Sequence, residues 1–243
     1  MILWSYSSVW LHLRKYIIFL VLHFNLVQSV HNYWCRLNTY FCYNLYLQMS
    51  YGKENYVTVR PEPDTWRLHP TFRTLQTYNQ YIRGSVADFG CNHGALTLLC
   101  TEFNTEMMVG FDLNHKALEV AAQTANSRKY LGKLSFVHTD LRKLPIQDAQ
   151  FDFAYSFHTL EHIYPEDIDI VVKEFLRVLK PGAHILIQIP YDHAYPDPCH
   201  VAFYKEYSLR YIFEKNGFMT KEIYKDDRWV EKDLLTALFH KPL

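Results

Sequence analysis

The first 48 residues of this 243-residue chain contain no glycine, no proline and no acidic side chain. They hold three basic residues and are crowded with aromatic side chains, whereas all eight glycines and all ten prolines lie from Gly52 onward. Because the composition changes so abruptly, we divide the chain into an aromatic, acid-free N-terminal extension, residues 1–48, and a domain formed by residues 49–243.

The extension also lacks an apolar run of the length that an ordinary transmembrane helix has. Its most apolar stretch, residues 16–30, has about fifteen residues where a spanning helix needs roughly twenty, and it includes a histidine, an asparagine and a glutamine. Four interpretations stay open: membrane association through residues 16–30, a signal peptide with a small-x-small site at 27–29, a partner-binding extension, and a stretch upstream of a natural start at Met49.

The chain carries no net charge, with 25 basic and 25 acidic residues. Since residues 49–243 are mildly acidic, no global field favours nucleic acid or an anionic membrane. The cysteine spacing of a zinc site is missing as well. The two cysteines of the extension, Cys35 and Cys42, are seven positions apart, unlike the C-x-x-C of a zinc site. An odd count of five cysteines predicts reduced thiols and a cytoplasmic protein, with membrane association through the extension as the alternative.

One stretch stands out from this background: residues 86–94, VADFGCNHG, join a short apolar run to an acid and a glycine-punctuated turn. With the apolar residues 95–99 it predicts a strand, a tight loop and a helix, an arrangement that lets backbone approach a bound nucleotide. A second apolar run, 107–111, ends at Asp112, where a carboxylate can accept hydrogen bonds from both hydroxyls of a ribose. The sequence therefore predicts a ligand that contains adenosine.

The loop lacks the third glycine of the G-x-G-x-x-G turn that binds nicotinamide dinucleotides, and it places Asp88 where a pyrophosphate would be repelled. A nicotinamide oxidoreductase is therefore a weak hypothesis. The spelling D-x-G-x-N-x-G resembles motif I of the class I S-adenosylmethionine-dependent methyltransferases, usually written D/E-x-G-x-G-x-G. Asn92 replaces the middle glycine, a mild change because asparagine also tolerates a positive φ.

The resemblance continues in order along residues 84–224 and points to the branch that contains methyltransferase type 11 and ubiquinone-biosynthesis O-methyltransferase-like proteins. The matching segments are similar to the family's third strand, its fourth strand with the loop beneath the donor, the approach to its fifth strand, and its small-molecule tail: residues 134–145, 151–163, 174–189 and 200–218. The resemblance implies S-adenosylmethionine as cofactor and methyl transfer to a small-molecule acceptor, by O- or carboxyl-methylation.

The resemblance also implies which residues hold the donor. Asp112 would bind the ribose, Asp140 the adenine amino group, and Asp88 would lie near a cationic or amine group. Cys91 would face the ligand with its backbone while its thiol packs. The predicted donor-binding set is Asp88, Gly90, Cys91, Asn92, Gly94, Asp112, Leu113, Asp140, Leu141 and Ser156.

The predicted fold class is α/β. Apolar residues recur at three- and four-residue steps over 64–82, which predicts an amphipathic helix. Strands then alternate with helices, and this predicts a parallel sheet wrapped on both faces; the resemblance implies a Rossmann-like, seven-stranded, mostly parallel sheet. The predicted strands are 85–90, 107–112, 134–138, 151–156, 184–189, 218–224 and about 234–240, and the helices lie near 95–103, 115–130, 167–179 and 208–215.

Removing a proton from an acceptor needs a base that titrates near neutral pH, so histidines near strand ends are candidate catalytic residues. We select His158 and His200. Residues 158–162 also spell the zinc-peptidase signature H-x-x-E-H, but they follow a strand where that signature needs a helix. A further cluster matches no standard metal spacing, so we predict no metal: Asp192, His193, Asp197, Cys199 and His200.

The fourth predicted strand is followed by neither the N/D-P-P-Y motif of DNA amino-methyltransferases nor the Pro-Cys of cytosine C5 enzymes. Together with the mildly acidic domain, this argues against a nucleic-acid substrate. The alternative function, from a different class, is a non-catalytic methyltransferase-like module that binds a ligand or serves as a scaffold. The sequence makes no prediction of oligomeric state.

Overall fold

The computed structural model of the protein describes residues 66, 67, 69–128, 134–192, 200–226 and 233–243. The extension, with its apolar stretch 16–30, lies outside these residues. The strands are β1 (Arg83–Phe89), β2 (Asn104–Asp112), β3 (Leu134–His138), β4 (Phe151–Phe157), β5 (Leu179–Pro190), β6 (Met219–Asp226) and β7 (Leu234–His240). The helices between them are α1 (Pro70–Thr77), α2 (Ala95–Cys100), α3 (His115–Ser127), α4 (Ile168–Val178) and α5 (Glu206–Lys215).

All seven strands belong to one sheet in the order β3-β2-β1-β4-β5-β7-β6. Strands β1 to β5 pair in parallel, while β7 runs antiparallel to both β5 and β6. The predicted seven-stranded, mostly parallel α/β fold is confirmed. The strand order reverses between β1 and β4, and in sheets of this kind ligands bind beyond the carboxyl ends of the strands at that point.

The central strands are buried on both faces of the sheet. Val86 and Met108 belong to the hydrophobic cluster on one face, whereas Ala87 and Val109 belong to the cluster on the other. Helices on both faces cover a parallel sheet in this way, and its strands therefore appear in the sequence as continuous apolar runs. The polar residues that end these runs lie on the same side of the sheet, at the carboxyl ends of the parallel strands.

Some element boundaries differ from the prediction. The helix predicted over 64–82 is α1, which begins at Pro70 and is followed by a 3-10 turn at Asn79–Tyr81. Proline suits the first helical turn because its missing N–H needs no partner there, and the His69 ring accepts a hydrogen bond from Thr71 N–H at 3.4 Å. None of the helices in the described residues is both long and apolar enough to cross a bilayer.

Candidate functional site

The loop between β1 and α2 depends on residues with a positive φ. Gly90, Asn92 and Gly94 have φ values of 82°, 49° and 76°, so the asparagine takes the left-handed conformation that its place in the motif requires. A Cβ at Gly90 would clash with the Thr159 side chain, and one at Gly94 would lie 2.8 Å from the Phe136 ring. The loop therefore packs tightly against Thr159 and Phe136, and side chains at these two glycines would not fit.

Asp112, the last residue of β2, ties this loop in place. Its Oδ2 accepts a hydrogen bond from Asn92 N–H at 2.7 Å and its Oδ1 accepts one from Asn114 N–H at 2.8 Å. The N–H groups of Gly90 and Cys91 both donate to Phe111 O, at 2.8 and 3.0 Å. Burial raises the pKa of Asp112 although these backbone hydrogen bonds act in the opposite direction. Asp112, which is predicted to bind the ribose, and the glycine loop are thus joined by a hydrogen bond.

Asp88 lies beneath the loop and is only 4% exposed. Its Oδ2 accepts hydrogen bonds from Thr97 Oγ1 at 2.6 Å and from the Tyr155 hydroxyl at 2.8 Å. Burial raises the pKa of Asp88 to about 7, and the charge of Asp112 also raises it, while the two hydrogen bonds lower it. The predicted contact of Asp88 with the donor's amine stays a prediction; the structure adds that this acid is anchored from inside the domain.

The sequence analysis missed Thr97 and Tyr155. Tyr155 pairs with Asp88 across β1 and β4 and is fully buried, so it supports the loop from below. A buried tyrosine needs a partner for its hydroxyl, and a strand-end acid on the neighbouring strand is such a partner. His93 was missed too: its ring packs edge-on against Trp66, and its buried Nδ1 has no hydrogen-bond partner among the described residues.

Two other predicted donor residues have structural roles for their side chains. Cys91 is buried, and its sulfur packs against β2, where a Cβ on Gly110 would come within 2.8 Å of it; the backbone contact with the donor stays a prediction. Ser156 is fully buried and its hydroxyl donates to Phe89 O at 2.9 Å. The Ser156 side chain therefore joins β4 to β1, and its predicted contact with the donor stays a prediction.

The residues predicted around the adenine lie beyond β2 and β3, which are neighbours in the sheet. Leu113 is 51% exposed next to Asp112, and Leu141 is partly buried against the core. Asp140 is paired with Arg142, whose Nη2 donates to Oδ2 at 2.6 Å and whose N–H donates to Oδ1 at 2.9 Å. The guanidinium lowers the pKa of Asp140, so this carboxylate already has a cationic partner.

His158 follows β4 with a φ of 53°, a conformation that is uncommon for a histidine. Its N–H donates to Gln188 O at 2.8 Å, which fixes the backbone, and its side chain is 40% exposed. Strained residues of this kind concentrate at functional sites. The Nδ1 atom lies 3.6 Å from Oε1 of Glu161, in a 3-10 turn that spans Leu160–His162. The H-x-x-E-H residues therefore do not share one helix.

His200, the second candidate base, lies apart from His158 in the sequence and next to the same turn. Its ring faces the His162 ring at a centroid distance of 5.0 Å. The cluster predicted around it lies largely outside the described residues, because residues 193–199 are not among them. The structure thus groups His200 with Glu161 and His162, which the sequence analysis did not select as site residues.

Comparisons with known proteins identify the family. Residues 87–187 match the model of the methyltransferase domain. An O-methyltransferase of Pyrenophora dematioidea is 29% identical over 148 residues, which cover 59% of this chain and 54% of that protein. A fatty-acid O-methyltransferase of Mycolicibacterium smegmatis is 31% identical over 102 residues, 42% of this chain and 35% of that protein. The chain thus spans about half the length of the first of these curated relatives and about a third of the second.

Solved structures share the fold at low sequence identity. The S-adenosylmethionine-dependent methyltransferase of Aquifex aeolicus superimposes with a TM-score of 0.61 at 16% identity, covering 77% of this chain and 98% of that chain. The cyclase SpnF superimposes with a TM-score of 0.63 at 18% identity, covering 71% and 81%. Residues 87–187 thus match a methyltransferase domain, and the related sequences and this fold support a class I S-adenosylmethionine-dependent methyltransferase.

Proposed function

We propose that this chain transfers a methyl group from S-adenosylmethionine to an oxygen of a small-molecule acceptor. The observation that supports the proposal most directly is the 2.7 Å hydrogen bond from Asn92 N–H to Asp112 Oδ2. This hydrogen bond joins the glycine loop to Asp112, the acid at the end of the second strand. Adenosine recognition in this type of sheet uses that combination of loop and acid.

The residues at the strand ends fit this donor. Side chains at Gly90 and Gly94 would clash with neighbouring protein side chains, so both positions of the predicted motif require glycine. The Asp112 carboxylate accepts backbone hydrogen bonds from Asn92 and Asn114, and an ionised carboxylate has about four lone-pair positions, so it can accept ribose hydroxyls too. The unpartnered Nδ1 of His93 supplies a further polar atom in the same loop.

When bound, the donor supplies an electrophilic methyl group on a sulfonium sulfur. The chain's own contribution is to align the acceptor with that group, to exclude water and to accept the acceptor's proton. We assign the role of general base, which accepts this proton, to His158. Its ring is exposed enough to reach an acceptor, and its backbone N–H donates a hydrogen bond to Gln188 O. The Nδ1 atom of the same ring lies 3.6 Å from Oε1 of Glu161, which is too far for a good hydrogen bond.

We propose a hydroxyl or carboxyl group on a metabolite or lipid as the acceptor, and no nucleic acid. The relatives named above are O-methyltransferases, one of them for fatty acids. Buried, unpaired Cys91 and Cys100 support a reducing, cytoplasmic setting. We further propose that residues 49–243 form the methyltransferase domain and that residues 1–48 are not required for donor binding.

The test is calorimetric titration of the full chain with S-adenosylmethionine, with S-adenosylhomocysteine and with a nicotinamide dinucleotide. We expect micromolar binding of the two sulfur ligands only, followed by label transfer from methyl-labelled donor in a screen of hydroxylated and carboxylated acceptors. Donor binding without transfer to any acceptor would favour the non-catalytic module. Absence of donor binding would contradict the proposed function as a whole.

A further inference from the structure

A group of potential metal ligands forms beside the candidate base. The ligand atoms of Glu161, His162 and His200 all lie within 4.8 Å of one another. Glu161 and His162 belong to the 3-10 turn after β4, whereas His200 comes from the chain that follows β5. The fold, and not the sequence spacing, brings the three side chains together.

Backbone hydrogen bonds hold the two segments against each other. Val201 N–H and Ala202 N–H both donate to Glu161 O, at 2.8 and 3.2 Å. The Tyr204 hydroxyl donates to Leu160 O at 3.2 Å, from a residue that is itself buried. The backbone positions of all three potential ligands are therefore fixed by the protein alone, as a preorganised site requires.

Glu161 has an environment that an ordinary structural glutamate does not have. The residue is 2% exposed, and neither carboxylate oxygen accepts a hydrogen bond from any described residue. The Nδ1 atom of His158 lies 3.6 Å from Oε1 of Glu161, which is beyond a good hydrogen bond. Burial of a carboxylate without partners is costly, so the geometry points to a cationic ligand that is shared with the neighbouring imidazoles.

We propose that Glu161, His162 and His200 bind a divalent transition metal, with Zn²⁺ as the best match. Two imidazoles and one carboxylate suit Zn²⁺ and related ions, whereas Ca²⁺ and Mg²⁺ prefer oxygen ligands alone. Zn²⁺ lies about 2.0–2.2 Å from each ligand atom, so tetrahedral ligands are about 3.4 Å apart. The ligand atoms, all within 4.8 Å of one another, would have to move closer by at most about 1.4 Å to bind the ion.

This site differs from the one that the H-x-x-E-H spelling suggests. A peptidase of that type would use both histidines of the motif from one helix, whereas here His162 pairs with His200 from a different segment. The proposal replaces the prediction that the chain has no metal. Three protein ligands leave a fourth position for an oxygen, and an acceptor oxygen in that position is an extension that rests on the proposed function.

The test is metal binding by the full chain, freed of metal with a chelator and titrated with Co²⁺ and Zn²⁺. Glu161→Gln and His200→Asn remove one ligand each. His240→Asn is the matched control, because His240 pairs with His184 at the opposite end of the sheet. We expect one Co²⁺ per chain with visible absorption bands in the wild type and the control, and affinity weaker by about tenfold or more in the two ligand variants.

A second measurement guards against misfolding of the ligand variants. Zn²⁺ should raise the Tm of the wild type and of His240→Asn but leave that of Glu161→Gln unchanged. Wild-type Co²⁺ affinity and spectrum in both ligand variants would overturn the site. Calorimetry with S-adenosylhomocysteine on the same samples separates the two proposals, since lost donor binding with retained Co²⁺ binding would count against the proposed function alone.

Discussion

The donor side and the acceptor side of the site are built in opposite ways. On the donor side, the loop of residues 90–94 and two acids at strand ends are hydrogen-bonded within the domain: Asp112 holds Asn92, and Asp88 is held by Thr97 and Tyr155. On the acceptor side, a buried glutamate meets three histidines from two segments, and its oxygens accept no hydrogen bond from the described residues.

The difference indicates where each side obtains its binding energy. A loop whose polar atoms are already paired can bind its ligand without rearrangement, so little ordering cost is left to pay. A buried carboxylate without partners favours any ligand that supplies positive charge or a proton. We therefore expect substitutions on the donor side to remove a contact, and substitutions on the acceptor side to change what the site can bind.

Asp112→Ala should have the largest effect on the donor side. The change removes a charged acceptor for two ribose hydroxyls, each worth about 1.5–3 kcal/mol, which corresponds to a loss of donor affinity of about a hundredfold or more. The carboxylate also accepts two backbone hydrogen bonds, so the unfolding free energy should fall by about 1–3 kcal/mol. This loss is larger than expected for a residue that only contacts the donor.

Calorimetry and urea unfolding of the same variant measure the two effects, with Asp112→Asn as the control that keeps one acceptor oxygen. Asn should recover most of the stability and only part of the donor affinity. If Asp112→Ala binds S-adenosylhomocysteine like the wild type, the ribose assignment is wrong and Asp112 only fastens the loop.

His158→Asn is the corresponding test on the acceptor side. A general base contributes about a hundredfold or more to a rate, so transfer to any acceptor found in the screen should fall by at least that factor. Donor affinity should stay at the wild-type value, because the glycine loop and Asp112 are untouched. The measurement is kcat at saturating acceptor. An unchanged kcat would show that His158 is not the general base.

The same comparison explains what could be predicted from the sequence. The glycine loop, Asp112 and the order of the strands follow from contacts between residues that are close in the chain or in successive strands, so short motifs encode them. Glu161 could not be selected, because its burial depends on the docking of residues 200–204, which no local pattern records. Ser156 and Tyr155 illustrate the same limit, since only strand pairing decides which hydroxyl faces inward.

Asp88→Asn should change the pH dependence of stability. Burial raises the pKa of Asp88 from its ordinary 3.8 to about 7. Between about pH 4 and pH 7 the unfolded chain has released this proton while the folded chain keeps it, so the unfolding free energy of the wild type falls as pH rises. We expect it to fall by about 2–4 kcal/mol relative to Asp88→Asn across that window.

Urea unfolding of both chains at a series of pH values measures this difference. The buried His93 and His184 have lowered pKa values and contribute the opposite slope, but they are present in both chains and cancel. Parallel stability curves would mean that Asp88 is ionised in the folded chain throughout this pH range and that the donor side holds a buried negative charge.

Asp140 should show the smallest effect on donor binding, because the carboxylate of this predicted donor residue already has a cationic partner, Arg142. Asp140→Asn should weaken donor binding by about tenfold if the carboxylate accepts the adenine amino group. Arg142→Gln should change the unfolding free energy by less than about 1 kcal/mol, since exposed ion pairs contribute little, and should strengthen donor binding slightly by releasing Asp140. Wild-type donor affinity in Asp140→Asn would instead make Asp140 a turn residue, whose Oδ1 closes the chain after β3 by accepting Arg142 N–H.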